Sequence, residues 1–250
     1  MILAHASDPH VGSVHDTALA AAFAALPAAL GSVRPAPALL LLTGDLTDHG
    51  DAVEYRRLGA LLEPLGVRCL VVAGNHDDPA VLRAELPQLL GPPADAAGSP
   101  AAWTETVGGV LLVGLDSSSG TLGDVQLGWL DGVLAAATGP ALVVLHHPPF
   151  PTGLAQLDTE WPLTDAAALR AVVARHPSVA AVLCGHDHRH IATRLDGAVP
   201  MVSAPALSWR PELDLRADVD LTPSAEPAAL LVHVVDELGL RTHHLALGAG

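Results

Sequence analysis

Five short clusters of potential metal ligands, each following an apolar run, constrain the fold of this chain more than any other feature. The clusters are Asp8-Pro9-His10, Gly44-Asp45-Leu46-Thr47-Asp48, Gly74-Asn75-His76-Asp77, His146-His147-Pro148 and Gly185-His186-Asp187-His188. Short, continuous apolar runs are typical of strands that are buried on both faces. In open α/β sheets, ligands bind outside the carboxyl ends of the strands. We therefore expect the five clusters to meet at one edge of a sheet.

The pattern of elements predicts one α/β domain over residues 1–250. The predicted strands before the clusters are residues 1–6, 39–43, 67–73, 142–145 and 180–184. The predicted helices are residues 16–30, 51–65, 79–90, 126–136 and 165–175. Glycine-containing turns at 108–109, 196–197 and 237–239 predict three hairpins, which make the second half richer in strands. The Pro-rich, acidic segment at about 204–228 is predicted to be an irregular excursion, a candidate lid or oligomer contact.

Several of the cluster side chains are spaced to act together on metal ions. Asp8 and His10 lie two residues apart, as do His186 and His188, so an extended backbone places each pair on one side. Asp45 has two carboxylate oxygens, which makes it the candidate bridge between two ions. Further donors come from the amide oxygen of Asn75 and from the imidazole of His146. Two ions held together in this way are a device for phosphoryl chemistry.

Other residues in the clusters have more than one interpretation. His76 is the candidate general acid, and Asp77 is expected to hydrogen-bond its imidazole and fix the tautomer. Asp48 either orients the site or caps the next segment. His147 and His190 lie beside the expected ligands, and the sequence leaves open whether they contribute.

Composition excludes several classes of partner and chemistry. The formal net charge is −15, which disfavours binding to a nucleic-acid polymer. The chain contains no lysine, which excludes Schiff-base chemistry. It also has no apolar run of the roughly 20 residues that a membrane helix needs, and no basic flank of a signal peptide. We therefore expect a cytoplasmic protein without a membrane span.

The ordered motifs D-x-H, G-D-x-x-D, G-N-H-D, a later His and G-H-x-H resemble the calcineurin-like metallophosphoesterase superfamily. The resemblance extends from Asp8 to His188 and implies a four-layer αββα sandwich, with two mixed β-sheets flanked by helices. It also implies two divalent or mixed-valence ions, drawn from Mn, Fe and Zn. One ion would be held by Asp8, His10, Asp45 and His188. The other would be held by Asp45, Asn75, His146 and His186.

The segments at 44–50, 55–56, 74–78, 115–117, 126–130 and 146–150 are similar to bacterial class III cyclic nucleotide phosphodiesterases and related glycerophosphodiesterases. The similarity implies a phosphodiesterase that converts 3′,5′-cAMP to 5′-AMP by attack of metal-activated hydroxide, with His76 as general acid. Glycerophosphodiester, phosphonate-ester and phosphomonoester hydrolysis remain alternatives, and a noncatalytic scaffold is a further one. Expected substrate-binding residues are Asn75, His76, Phe150, Trp209 and Arg210. The expected partner is a small phosphodiester, and a homodimer or larger homo-oligomer is compatible with the similarity.

Overall fold

The computed structural model describes residues 1–248, so the last two residues of the predicted domain lie outside the described part. The strands are β1 (Ile2–Ala6), β2 (Leu39–Thr43), β3 (Cys69–Val72), β4 (Trp103–Val107), β5 (Val110–Gly114), β6 (Ala141–Val144), β7 (Val179–Cys184), β8 (Ile191–Leu195), β9 (Val199–Ser203), β10 (Ala229–Asp236) and β11 (Gly239–Ala246). The α-helices are α1 (Asp16–Ser32), α2 (Ala52–Leu62), α3 (Pro79–Glu85), α4 (Gly123–Ala135), α5 (Ala155–Glu160) and α6 (Ala166–Ala174).

The strands form two mixed sheets. The first has the order β11-β10-β1-β2-β3, in which β1, β2 and β3 run parallel and β10 and β11 form an antiparallel edge. The second has the order β4-β5-β6-β7-β9-β8, in which β5, β6, β7 and β9 run parallel between antiparallel edges. Because the central strands are parallel, their carboxyl ends lie at one edge of each sheet, where the expected clusters follow.

Successive side chains along the strands of the second sheet point to opposite faces, which divides the apolar core into two clusters. Leu142 and Val144 of β6 join the first sheet and helices α1, α2 and α3 in one cluster. Val143 and Leu145 point the other way and pack with α4 and α6 in the second cluster. The indole nitrogen of Trp103 donates to the carbonyl of Val71 across the two sheets, at 2.8 Å. The layers are therefore helix, sheet, sheet and helix, as the resemblance implies.

Helix boundaries differ most from the prediction between residues 79 and 90 and after β6. The helix predicted at 79–90 ends at Glu85, and a separate 3-10 turn follows at Pro87–Leu89. Pro87 explains the break, because proline lacks the N–H that would continue the helix. Helix α5 was not predicted, since only six residues form it. Residues 204–228 contain bridges and turns without a helix or strand, and no described helix is long and apolar enough to cross a membrane.

Candidate metal centre

The five polar clusters converge where the parallel strands of the two sheets end. Close packing of the strand ends requires glycine: a Cβ on Gly185 would collide with the Ser7 hydroxyl, and one on Gly44 with the His146 ring. A Cβ on Gly74 would likewise collide with the Asp45 carboxylate. The glycines that precede three of the clusters therefore allow loops from different strands to approach one another.

Five of the converging residues have backbone angles in the left-handed region. The φ angles are 50° at Asp8, 44° at His10, 46° at Asp45, 75° at His186 and 57° at His188. This region is unfavourable for residues other than glycine, and it concentrates at functional sites where the surrounding structure enforces it. The fold therefore accepts local strain in order to direct these side chains toward one another.

The first donor group consists of Asp8, His10, Asp45 and His188. One ligand atom from each of the four lies within 4.8 Å of the others, and all four side chains are buried. The Nε2 atoms of His10 and His188 are 3.1 Å apart. His188 Nε2 also lies 3.4 Å from Asp8 Oδ1, and His10 Nε2 lies 3.5 Å from Asp45 Oδ2.

Hydrogen bonds at Nδ1 of His10 and His188 determine which kind of ligand this first group can bind. His10 Nδ1 contacts Asp48 Oδ1 at 3.0 Å, and His188 Nδ1 donates to the carbonyl of Trp209 at 2.9 Å. In the neutral tautomers, both Nε2 atoms therefore present lone pairs to each other and to carboxylate oxygens. Such a set of converging acceptors fits a cation.

The second donor group consists of Asn75, His146 and His186, together with the shared Asp45. His146 Nε2 lies 3.1 Å from Asn75 Oδ1, 3.2 Å from His186 Nδ1 and 3.4 Å from Asp45 Oδ2. His146 Nδ1 donates to the carbonyl of Thr43 at 2.7 Å, so its Nε2 also faces the group as an acceptor. The chemistry of this group fits a second cation.

Asp45 lies between the two donor groups, and its two oxygens have different environments. Oδ1 accepts the backbone N–H of His76 at 2.9 Å. Oδ2 is the atom that lies 3.5 Å from His10 Nε2 and 3.4 Å from His146 Nε2. Asp45 would therefore contribute to both donor groups if cations were bound.

Burial and proximity shift the pKa values of the converging groups. Burial opposes the charged form of His146, but the adjacent Asp45 carboxylate raises the pKa of His146 to about 10. Burial raises the pKa of Asp8 to about 6, and it lowers the pKa of His186 to about 3 with the help of the His146 charge. A cation would take the place of the proton on His146, because metal binding releases protons from its ligands. Among the described residues, buried Asp8 Oδ1 has no hydrogen-bond partner, as expected of an atom reserved for a ligand.

The contact predicted between Asp77 and the His76 imidazole is wrong. Buried Asp77 accepts hydrogen bonds from the backbone N–H groups of Leu46, Thr47 and Gly74 and from the Tyr55 hydroxyl. His76 Nδ1 instead donates to the carbonyl of Asp48 at 2.8 Å. Adjacent side chains in this turn point in different directions, so Asp77 holds two loops together while His76 stays exposed beside the His10 ring.

The expected substrate-binding residues beyond Asn75 and His76 lie in three different settings. Trp209 packs on the His188 ring with 4.7 Å between centroids. Arg210 is buried and lines a groove beside α1, where its Nη1 is 3.9 Å from a Glu226 oxygen. Phe150 lines a cavity that also includes His186. The structure therefore distributes Phe150, Trp209 and Arg210 around the centre, without gathering them into one rim.

His147 and His190, whose contribution the sequence left open, lie in different surroundings. His147 Nδ1 contacts the Ser117 hydroxyl at 3.0 Å, and its ring lies 4.5 Å from that of His186. His190 is exposed and stacks on His244. One ring nitrogen of His147 lies within 4.8 Å of ligand atoms of His146 and His186, so His147 is a further candidate donor beside the second group, whereas His190 contacts His244.

Comparison with known proteins identifies the type of molecule. The profile of the calcineurin-like phosphoesterase family matches residues 1–190. The chain belongs to this family. It is 30% identical to the glycerophosphodiester phosphodiesterase GpdQ of Enterobacter lignolyticus, over 98% of this chain and 91% of that protein. It is 35% identical to a cAMP/cGMP dual specificity phosphodiesterase of Mycobacterium tuberculosis, over 79% of this chain and 63% of that protein.

A dimetal phosphatase from Danio rerio has a similar fold, with a TM-score of 0.68 at 15% identity and 99% coverage of both chains. Membership in the calcineurin-like family and its phosphodiesterase relatives make this protein a phosphoric ester hydrolase. The family uses a binuclear metal centre, and the clustered His and Asp side chains of this phosphoesterase provide suitable donors.

Some contacts of the centre were not predicted. The Tyr55 hydroxyl accepts the backbone N–H of Asp78 and contacts Asp77, and the Ser208 hydroxyl donates to the carbonyl of Asp8. The carbonyls of Thr43 and Trp209 orient His146 and His188. A backbone carbonyl carries no residue-type signal, so these two contacts could not be found from the sequence. Tyr55 is among the residues that carry the resemblance to phosphodiesterases, but its contacts with Asp77 and Asp78 were not predicted.

Proposed function

We propose that this phosphoesterase is a binuclear-metal phosphodiesterase that acts on small phosphodiesters, with 3′,5′-cAMP and its conversion to 5′-AMP as the first candidate. Asp8, His10, Asp45 and His188 would hold one ion, and Asp45, Asn75, His146 and His186 the other. The observation that carries the proposal is the position of Asp45 Oδ2 between two sets of acceptors. Relatives named as cyclic nucleotide phosphodiesterases support the substrate class.

When bound, the two cations would supply water activation and neutralise charge on the phosphate oxygens. The donors include imidazole, carboxylate and amide groups, a mixture that suits Mn, Fe or Zn. We use the term outer contact for a hydrogen bond at the ring nitrogen that faces away from the donor group. Such contacts hold three histidines in fixed orientations: Asp48 holds His10, and the carbonyls of Trp209 and Thr43 hold His188 and His146.

His76 is the residue that we assign to proton transfer. Its Nδ1 donates to the Asp48 carbonyl, which leaves Nε2 free to face a substrate. The ring packs edge-on against His10 with 4.7 Å between centroids, so it lies beside the first donor group. The Asp48 carboxylate lies 4.0 Å from Nδ1. A protonated His76 can then donate from Nε2 to the departing alkoxide.

Glycerophosphodiester hydrolysis is the second candidate function. It is favoured by the relative named GpdQ, which matches 98% of this chain. A panel of cyclic nucleotides, glycerophosphodiesters, bis-p-nitrophenyl phosphate and p-nitrophenyl phosphate distinguishes the candidates by kcat/KM on Mn-loaded enzyme. We expect the highest value with 3′,5′-cAMP and a lower value with the monoester. Absence of turnover with every diester would overturn the proposed function.

Replacement of His76 tests the general acid. We expect His76→Ala to keep both metal ions and to slow hydrolysis of alkyl esters by about 100- to 10,000-fold. Esters of p-nitrophenol should slow much less, because their leaving group departs without a proton. Metal content by elemental analysis serves as the control. Equal loss on both ester classes would contradict proton donation and favour a role in phosphate positioning.

A further inference from the structure

The cavity that contains Phe150 and His186 adjoins the candidate metal centre, and phosphate chemistry does not explain it. It has a volume of about 260 Å³ and lies between the loop after β6, helices α5 and α6, and the turn that contains His186 and Asp187. Apolar side chains form most of its wall: Pro148, Phe150, Leu157, Trp161, Leu163 and Ala166. We call it the 148–187 cavity.

Two polar groups in the wall of the 148–187 cavity are buried and unsatisfied. Asp187 is 1% exposed; its Oδ1 accepts from the Thr152 hydroxyl, but its Oδ2 has no hydrogen-bond partner among the described residues. His186 is 6% exposed, and its Nε2 likewise has no partner within the described part of the chain. With a cation bound at His186 Nδ1, the ring proton would lie on Nε2. The wall therefore offers two unsatisfied polar atoms, His186 Nε2 and Asp187 Oδ2.

The other charged groups of the wall are already engaged. Asp158 accepts from the backbone N–H groups of Thr152 and Gly153. Arg170 donates to the carbonyl of Pro149 and lies 3.5 Å from an Asp196 oxygen. With Arg170 engaged in this way, the wall leaves no free cation among the described residues to pair with an anionic ligand. A ligand with many polar groups would lose its hydration against the apolar wall.

We propose that the 148–187 cavity binds a small neutral alcohol with an apolar body. Its hydroxyl can both donate and accept a hydrogen bond, so one group can satisfy Asp187 Oδ2 and His186 Nε2 together. Its body packs against Phe150, Leu163 and Ala166. A cavity of this size suits a ligand smaller than most drug-like molecules.

The bound hydroxyl would act on the metal centre through His186. His10, His146 and His188 each have a partner at the second ring nitrogen, supplied by the protein. His186 lacks such a partner among the described residues. The alcohol supplies it and fixes the ring orientation, in the way that outer contacts orient metal ligands in general. The alcohol comes either from the ester that the enzyme hydrolyses or from a separate free molecule.

Calorimetric titration of the metal-loaded enzyme with benzyl alcohol and toluene tests the site. We expect one saturable site per chain for benzyl alcohol and binding about tenfold weaker for toluene, because toluene leaves both polar groups unsatisfied. Ala166→Leu fills the 148–187 cavity and should abolish binding. Ala174→Leu is the matched control, since Ala174 lies on the same helix but lines another cavity. It should bind benzyl alcohol as the wild type does.

Absence of saturable binding to the wild type would overturn the proposal and assign the two polar groups to water. Equal loss in the Ala166 and Ala174 variants would also overturn it. These outcomes are measured without turnover, so they are distinct from failure of the proposed function.

Inhibition of diester hydrolysis by benzyl alcohol shows whether the cavity binds the alcohol part of the substrate or a separate alcohol molecule. Competition with the diester, lost in Ala166→Leu, shows that the cavity holds the alcohol part of the substrate. A change in kcat at constant KM shows a separate bound alcohol. If bound alcohol changes neither parameter, the role through His186 is overturned.

Discussion

The two donor groups share Asp45, but they differ in charge and burial. The first contains two carboxylates, and the exposed fractions of Asp8, His10, Asp45 and His188 are 0%, 5%, 3% and 7%. The second adds no carboxylate of its own and includes the neutral amide of Asn75, which is half-buried beside exposed His76. Greater negative charge and fuller enclosure should make the first group the stronger cation site.

The first donor group also has more outer contacts than the second. Both histidines of the first group have their second ring nitrogen bonded, to Asp48 and to the Trp209 carbonyl. In the second group, within residues 1–248, His146 has such a contact, to the Thr43 carbonyl, and His186 Nε2 has none. Outer partners of this kind typically change metal affinity by about 10- to 100-fold. The difference teaches that the first donor group is held more rigidly than the second, and that the second group includes His186, which lines the 148–187 cavity.

Replacement of the shared residue should have the largest effect. We expect Asp45→Ala to weaken both sites and to lower kcat/KM by at least about 1000-fold, because several kcal/mol of transition-state stabilisation depend on the metal pair. Metal content and diester hydrolysis measure the two consequences. An Asp45→Ala enzyme that retained two ions per chain would refute the bridge.

Variants confined to one group should sharpen the asymmetry. We expect Asn75→Ala to keep one tightly bound ion and to lose the other on dialysis, because only the second group loses a donor. His188→Ala should lose its first-group ion and retain the second more weakly than the wild type retains either. Chelator titration followed by elemental analysis measures both retentions. Similar loss from the two variants would mean that the sites are equivalent.

Much of the fold could be predicted because local and global signals agree. The runs before Asp8, Asp45 and His186 are short, apolar and followed by polar clusters, and each forms a buried strand in the structure. The turn at 196–197 joins two paired strands, as its glycine indicated. Helix α5 escaped prediction because a six-residue helix has too few turns for a clear periodicity.

Spacing is a guide to which side chains of the candidate site lie near one another and a poor guide to their direction. Asp8 and His10 lie in one donor group, but their backbone is left-handed and not extended as their spacing predicted. Spacing failed for Asp77, whose carboxylate turns away from His76 to bind Leu46, Thr47 and Gly74. Neighbours in a tight turn do not follow the two-residue alternation of a strand. Their directions depend on loops from elsewhere in the chain, which no local pattern describes.

Loss of one outer contact should have the smallest effect and tests why the first group is stronger. We expect Asp48→Ala to weaken metal binding at that group by about 10- to 100-fold, because His10 loses the partner that fixes its ring. Asp51→Ala is a matched control: it removes the same charge three residues away, at a helix start where the Asp51 side chain makes no capping hydrogen bond. Competition with a fluorescent chelator measures both affinities. If the two variants weaken binding equally, general charge rather than the contact with His10 accounts for the effect, and the asymmetry between the groups would rest on their carboxylates alone.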